Sequence, residues 1–122
     1  MRKVEIGTSN YTEVFAIDAK MYNANHYYEV RQAPSEGATI SDKEIYAKIK
    51  FQEGPIKEHG MNGCHNEDLI AIVIDRLQSF QESAYKCREN AIALTKLEEA
   101  LMWLNKRTQD RIKRKVVGTS QI

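Results

Sequence analysis

The sequence predicts an α+β protein, with a small antiparallel β-sheet of about four strands at the N-terminus followed by a two-helix hairpin at the C-terminus. Three observations predict it. The strongest breakers of regular structure fall early: Gly7, Pro34, Gly37, Gly54, Pro55, Gly60 and Gly63 all precede Cys64, and the next Gly or Pro is Gly118. Before Cys64 the β-forming residues come in short runs, one with clear period two. After Cys64 the apolar residues recur at steps of three and four. At 122 residues the chain is expected to make one domain, 1–122, with a sheet part over 1–56, a connecting loop over 57–65 and a helical hairpin over 66–117.

The strands are expected at Val4 and Ile6, from Tyr11 to Ile17, from His26 to Val30 and from Ile45 to Phe51. The last is the clearest, because Ile45, Ala47, Ile49 and Phe51 alternate with Tyr46, Lys48, Lys50 and Gln52, giving one apolar and one polar face. Gly7-Thr8-Ser9-Asn10, Tyr22-Asn23-Ala24-Asn25 and Pro34-Ser35-Glu36-Gly37 supply the turns. From Asn66, a capping residue followed by Glu67 and Asp68, the stripe Leu69, Val73, Leu77 and Phe80 marks a first helix. A second stripe runs through Leu94, Leu97, Leu101, Leu104 and, after Thr108, Ile112. A single helix over 66–115 would be about 75 Å long, far beyond the width of a small domain, so the chain must fold back on itself. The bend is expected at Gln81 to Ser83, with Ser83 capping the second helix.

Eighteen basic and seventeen acidic side chains leave a net charge of +1, so no global field draws nucleic acid or an anionic membrane, and any anion site must be local. Cys64 and Cys87 are too few for a disulfide framework and lack zinc spacing, which fits a reducing cytoplasm. The charged start Met1-Arg2-Lys3-Val4-Glu5 is no secretory signal, and no apolar window is long enough to span a membrane. His59, Cys64, His65, Glu67 and Asp68 lie close together but follow no metal-ligand pattern, so no metal and no cofactor are expected. No phosphate-binding glycine loop and no nucleophile elbow occurs, and His26, His59 and His65 have no patterned Ser or Cys partner, which leaves catalysis without support.

The charge distribution within the hairpin is more informative. Residues 65–104 hold four basic and seven acidic side chains, whereas 105–115 hold Lys106, Arg107, Arg111, Lys113, Arg114 and Lys115 against Asp110 alone. Arg107 and Arg111 are four apart and share a helix face, as Arg114 nearly does, so their guanidinium forks can converge on phosphate oxygens. The same cations also suit a helix C-terminus merely by offsetting its dipole. Phe80, at the end of the first helix, either closes the core at the turn or offers a ring face to a purine. Asn90 is a poor helix former inside the second helix, either solvated or held for a hydrogen-bonding duty. The tyrosines of the strand half need no ligand to explain them, and Trp103 reads as core or interface beside Leu101 and Leu104.

The stretches Gly54-Pro55-Ile56-Lys57-Glu58-His59-Gly60-Met61-Asn62-Gly63, Asn66 to Gln81, Cys87-Arg88-Glu89-Asn90 and Leu97-Glu98-Glu99-Ala100-Leu101-Met102-Trp103-Leu104 resemble a phage-encoded family, that of the first Thoeris anti-defence protein, whose hairpin is shared with the second anti-CBASS protein. The resemblance spans roughly residues 50–112; relatives often carry Gly-Pro at the hairpin turn, where this chain has Glu82-Ser83. It implies a sponge that sequesters a cyclic ADP-ribose isomer, glycocyclic ADP-ribose, made by a TIR-domain enzyme, without degrading it, in the cytoplasm of the infected bacterial host. It implies Phe80 stacked on adenine, Asn90 as a polar contact, and Arg107 and Arg111 as pyrophosphate and ribose clamps. It also leaves room for cyclic di- or trinucleotides as further ligands and for a homodimer or a hexamer as the assembly. A pocket on one thin hairpin would be shallow, so a second copy is expected to complete it, with Met102 and Trp103 helping to bury the interface. The competing readings are an enzyme that degrades cyclic nucleotides and a nucleic-acid binder using the basic segment 106–115.

Overall fold

The computed structural model describes residues 1–7, 10–34, 44–114 and 118. Thr8 and Ser9 of the first expected turn, Ser35 to Gly37 of the third and the expected hairpin end at 115–117 lie outside the described residues. The chain divides into two compact units, Met1–Cys64 and His65–Ile122, with the boundary inside the expected connecting segment.

In the first unit, β1 (Arg2–Lys3), β2 (Thr12–Ala16), β3 (Tyr27–Gln32) and β4 (Ile45–Lys50) pair antiparallel in sequence order, the meander the strand spacing predicts. Opposed residues share a face of the pleat. The register Val14↔Val30↔Ala47 and Ala16↔Tyr28↔Ile49 therefore makes one face apolar, and Glu13↔Arg31 and Phe15↔Glu29↔Lys48 make the other charged. Across that charged face Arg31 pairs with Glu29 and lies over the Phe15 ring at 5.5 Å. The edge-to-face contact of Tyr28 with Phe51, centroids 5.7 Å apart, extends the apolar side. A register shift between Val30 and Arg31, which pair with Ala47 and Ile45, leaves Tyr46 bulged on β4.

The first strand departs from expectation. The ladder uses Arg2–Lys3, after which Val4 N–H donates to the Val14 carbonyl at 2.8 Å, and Ile6 is 84% exposed. An ion pair sets this register: Lys3 Nζ lies 2.9 Å from the buried Glu13 carboxylate. The hydrogen bond to Glu13 raises the Lys3 pKa, and the opposing effect of burial does not cancel it.

Between β2 and β3, Tyr22 and Asn23 both take positive φ, 49° and 75°, with Met21 and Ala24 bridged across them, the pattern of a type I′ turn. Asp18 anchors the segment: its carboxylate accepts the N–H groups of His26 at 3.1 Å and Tyr27 at 3.2 Å, while Asn25 donates to the Asp18 carbonyl at 2.7 Å. Arg2 donates to the other end of the Asn25 amide at 2.9 Å, so the buried Asn25 is held from both sides.

After β4 the expected continuous loop contains a one-turn helix, α1 (Ile56–His59), started by Pro55, whose carbonyl accepts the His59 N–H at 2.8 Å. His59 meets the Tyr22 hydroxyl through Nε2 at 3.2 Å. The chain then returns to the sheet, where Cys64 N–H donates to Lys50 O at 2.9 Å and the Cys64 carbonyl accepts the Gln52 N–H at 2.8 Å. Gly63 is required there, because any Cβ would overlap the Phe51 backbone.

The second unit is the hairpin of α2 (Asn66–Gln81) and α3 (Arg88–Lys113). Three local details differ from the sequence reading. The cap of α2 is His65, whose N–H is accepted by the Asp68 carboxylate at 2.8 Å, and Asn66 is the first helical residue. The cap of α3 is Cys87, with Sγ accepting the Asn90 N–H at 3.5 Å. Ser83 instead lies in the turn, donating to Phe80 O and accepting from Tyr85 N–H. The bend itself falls after Gln81, within the expected stretch, and the Gln81 amide clamps it by donating to Cys87 O at 3.1 Å and accepting Cys87 N–H at 3.0 Å.

The covered face of α3 carries Asn90, Leu94, Leu97, Leu101, Leu104, Thr108 and Arg111, an unbroken alternation of four and three. On α2 the half-buried apolar positions are Leu69, Ile70, Ile74 and Leu77. Val73 and Ile112, expected on these stripes, are 45% and 47% exposed, because the covered face passes through Ile70 and Ile74 on one side of Val73 and through Arg111 beside Ile112. Two helices cover only one stripe of each other, and Arg111 is the one residue of the described α2 and α3 that reaches full burial. Among the described residues no helix is long and apolar enough to cross a membrane.

Candidate functional site

The hairpin carries candidate residues at both ends. At the turn end, the last turn of α2 presents Phe80, 38% exposed, with the Arg76 guanidinium 5.3 Å from its ring centroid. Arg76 is one helical turn before Phe80, so this cation–π contact covers part of the ring and fixes its orientation. Asn90 is half-buried in the first turn of α3, and among the described residues no group is bonded to its side-chain amide. Between them the turn is closed by the Gln81 clamp on Cys87. A flat ring and an unengaged amide suit a base and its polar edge.

At the other end of α3 lies a groove of about 280 Å³, lined by Trp103, Lys106, Arg107, Asp110, Arg111 and Arg114. The spacing explains it: 103, 106, 107, 110, 111 and 114 form one continuous helix face. Arg107 is exposed, and among the described residues it has no ion-pair or hydrogen-bond partner. Arg111 differs: it lines the groove but only 8% of it is exposed, and it interacts with other groups of the chain. Lys106 Nζ binds Asp110 Oδ2 at 2.8 Å, and this hydrogen bond, aided by the charges of Lys106 and Lys113 against a smaller effect of burial, holds the Asp110 carboxyl below its usual range. The groove is thus cationic, with one carboxylate in its lining and an indole, 58% exposed, along its wall.

Phe80 stands in the last turn of α2 and Asn90 in the first turn of α3, at the turn end of the hairpin, while Arg107 lies one helical turn before Arg111, so the two pairs are separated. Asn90 and Arg107 are seventeen residues apart on one continuous helix, about 26 Å along its axis. No single small nucleotide touches both pairs of one hairpin. Sequence reasoning missed Trp103 and Asp110 as groove residues, although their steps of three and four from Lys106, Arg107 and Arg114 carried the signal. In the first unit a smaller cavity of about 200 Å³ lies over β3 and β4, among Tyr27, Tyr28, Lys48 and Lys50. Among the described residues no group of three or more His, Cys, Asp or Glu is placed to hold a metal.

Fold and site together define a class: a small α+β protein with a meander sheet and a helical hairpin that carries a polycationic groove at the end far from its turn. Residues 43–109 match the family model of the Acb2/Tad1 hairpin domain. The chain is 46% identical to "Thoeris anti-defense 1" of Bacillus phage SBSphiJ7, with 98% of this chain and 96% of that relative covered. The chain belongs to the Acb2/Tad1 family, on its Thoeris anti-defence side. Phe80, Asn90 and Arg107 fall inside the stretch matched by the family model and Arg111 just beyond it.

Proposed function

We propose that this protein is a phage anti-defence sponge that binds a cyclic ADP-ribose isomer, glycocyclic ADP-ribose, made by a TIR-domain enzyme in the cytoplasm of the infected host, and holds it without breaking a bond. The observation that carries the reading is the division of one binding chemistry between the two ends of α3. An adenine needs a flat ring and a polar edge, as at Phe80 and Asn90; a pyrophosphate needs guanidinium and ammonium groups, as at Arg107 and its neighbours. The two halves, about 26 Å apart in one copy, meet when a second copy lies antiparallel, turn end against basic end. Twofold symmetry then makes two identical pockets, each with Phe80 and Asn90 from one protomer and Arg107 and Arg111 from its partner.

The groove on one chain supports this, since 280 Å³ is below the usual volume of a small-molecule site, about 300–1,000 Å³, and suits half of one. The exposed apolar side chains of the hairpin, Ile72 at 62%, Met102 at 56% and Trp103 at 58% among them, supply area for the second copy to cover. Trp103 stands at the border, on the groove wall and beside Met102. Because a ring-closed ligand loses little freedom on binding, a stack and several charge-assisted bonds suffice for nanomolar affinity, about −12 kcal/mol. Capture needs no general base, and none of the groove's side chains is arranged as a nucleophile with a base.

The test is capture and return. The protein is incubated with glycocyclic ADP-ribose, freed of unbound nucleotide, heated to denature it, and the supernatant is chromatographed. Intact ligand at about one molecule per protomer supports sequestration. A cleaved or linearised product replaces it with an enzymatic reading, and tight salt-dependent binding of DNA without nucleotide capture replaces it with a nucleic-acid reading.

A further inference from the structure

Among the described residues that line the cationic groove Asp110 is the single carboxylate, and helix stability does not account for it. It lies three residues before the end of α3, where the helix dipole disfavours negative charge. Its bond to Lys106 runs in the weaker order for an i, i+4 pair, cation first, and both side chains are about half exposed, so the pair adds little stability. What the bond does is position: at 2.8 Å from Nζ, the carboxylate is fixed in the groove lining beside Arg107, Arg111 and Arg114.

A groove with four cations and an aromatic wall has a selectivity problem. It attracts any nucleotide, and the attraction grows with phosphate charge, so nucleoside triphosphates compete with a less charged ligand. A pyrophosphate esterified at both ends carries one charge per phosphorus, whereas a terminal phosphate carries most of a second, its last ionisation lying near about pH 6. We propose that Asp110 is a specificity residue that rejects nucleotides ending in a free phosphate, so that the groove accepts a pyrophosphate closed at both ends. The inference rests on the sequestering function proposed above and adds what the site must refuse. A fixed carboxylate about 6 Å from a terminal phosphate, at an effective dielectric of about 40–80, weakens binding about three- to tenfold for each additional charge.

The test uses the full-length protein, wild type, Asp110→Asn and Asp110→Glu, titrated calorimetrically at low salt with ATP, with linear ADP-ribose and with glycocyclic ADP-ribose. ADP-ribose has the doubly esterified pyrophosphate without the ring. In Asp110→Asn both diesters tighten modestly and ATP tightens about tenfold more than either, while Asp110→Glu restores the wild-type ratio. An unchanged ratio of ATP to ADP-ribose affinity in Asp110→Asn, whether all ligands tighten alike or none moves, overturns the specificity role. A wild type that binds ADP-ribose and ATP with the expected ratios but ignores the cyclic compound overturns the sequestering function alone. A wild type that binds none of the three overturns both.

Discussion

If each pocket joins the turn end of one protomer to the basic end of another, two weakened variants must rescue each other. Phe80→Ala removes the stacking ring, worth about 1–3 kcal/mol, and so weakens binding about five- to 150-fold. Arg107→Ala removes a charged donor group that has no partner among the described residues and costs a similar amount, about 1.5–3 kcal/mol. Neither substitution touches the covered face of α3 or the Gln81 clamp, so both variants fold. In an equimolar, randomly assembled mixture of the two, each pocket draws its Phe80 end from one protomer and its Arg107 end from another. Both ends are wild type in about one quarter of pockets, whatever the order of the oligomer. Titration calorimetry with glycocyclic ADP-ribose should therefore show only weakened sites in either variant alone, and sites of wild-type affinity in about one quarter of the wild-type number after co-refolding. A mixture with no tight sites would refute the shared pocket, since a pocket built within one hairpin gains nothing from exchange.

Three further outcomes follow from the packing. Asp18 is pushed up by burial, yet hydrogen bonds from the His26 and Tyr27 N–H groups and from Asn25 outweigh this and hold it below the usual carboxylate value; its contribution is therefore present at neutral pH and lost as pH falls through and below about 4. Urea unfolding should show wild type and Asp18→Asn clearly separated at pH 7 and converging near pH 3. Gly63→Ala forces a Cβ into the Phe51 backbone and should cost about 2 kcal/mol or more, read as a lower melting temperature with loss of hydrogen-exchange protection at the Cys64 amide. Gln81→Ala removes both bonds to Cys87 and should cost about 1–2 kcal/mol in urea unfolding, while weakening nucleotide binding by loosening the turn between Phe80 and Asn90.

The hairpin was legible because a 3.6-residue period is a local property. Leu94, Leu97, Leu101 and Leu104 announce a covered face whatever lies against them, and the absence of Gly or Pro between Cys64 and Gly118 leaves the chain free to be helical throughout. The caps were less legible. Asn66 and Ser83 are better capping residues by propensity than His65 and Cys87, but Asp68 reaching back to His65 and Gln81 bridging to Cys87 move each boundary, and both depend on groups several residues away. Val4 and Ile6 alternate as a strand should, yet the buried Glu13 draws Lys3 into the ladder, a cross-strand interaction that no window of sequence contains.

The sequence by itself determined the α+β division, the meander, the helical hairpin and the charge reversal along α3, because each follows from spacing between near neighbours. The tertiary structure alone decided which side chains are available to a ligand. It buries Arg111 while leaving Arg107 exposed and without a partner among the described residues, puts Trp103 and Asp110 on the wall of the cationic groove, and sets Asn90 about 26 Å along α3 from Arg107. Helical period places two residues on one face but says nothing of what covers that face, and only the packing of α2 on α3 settles that.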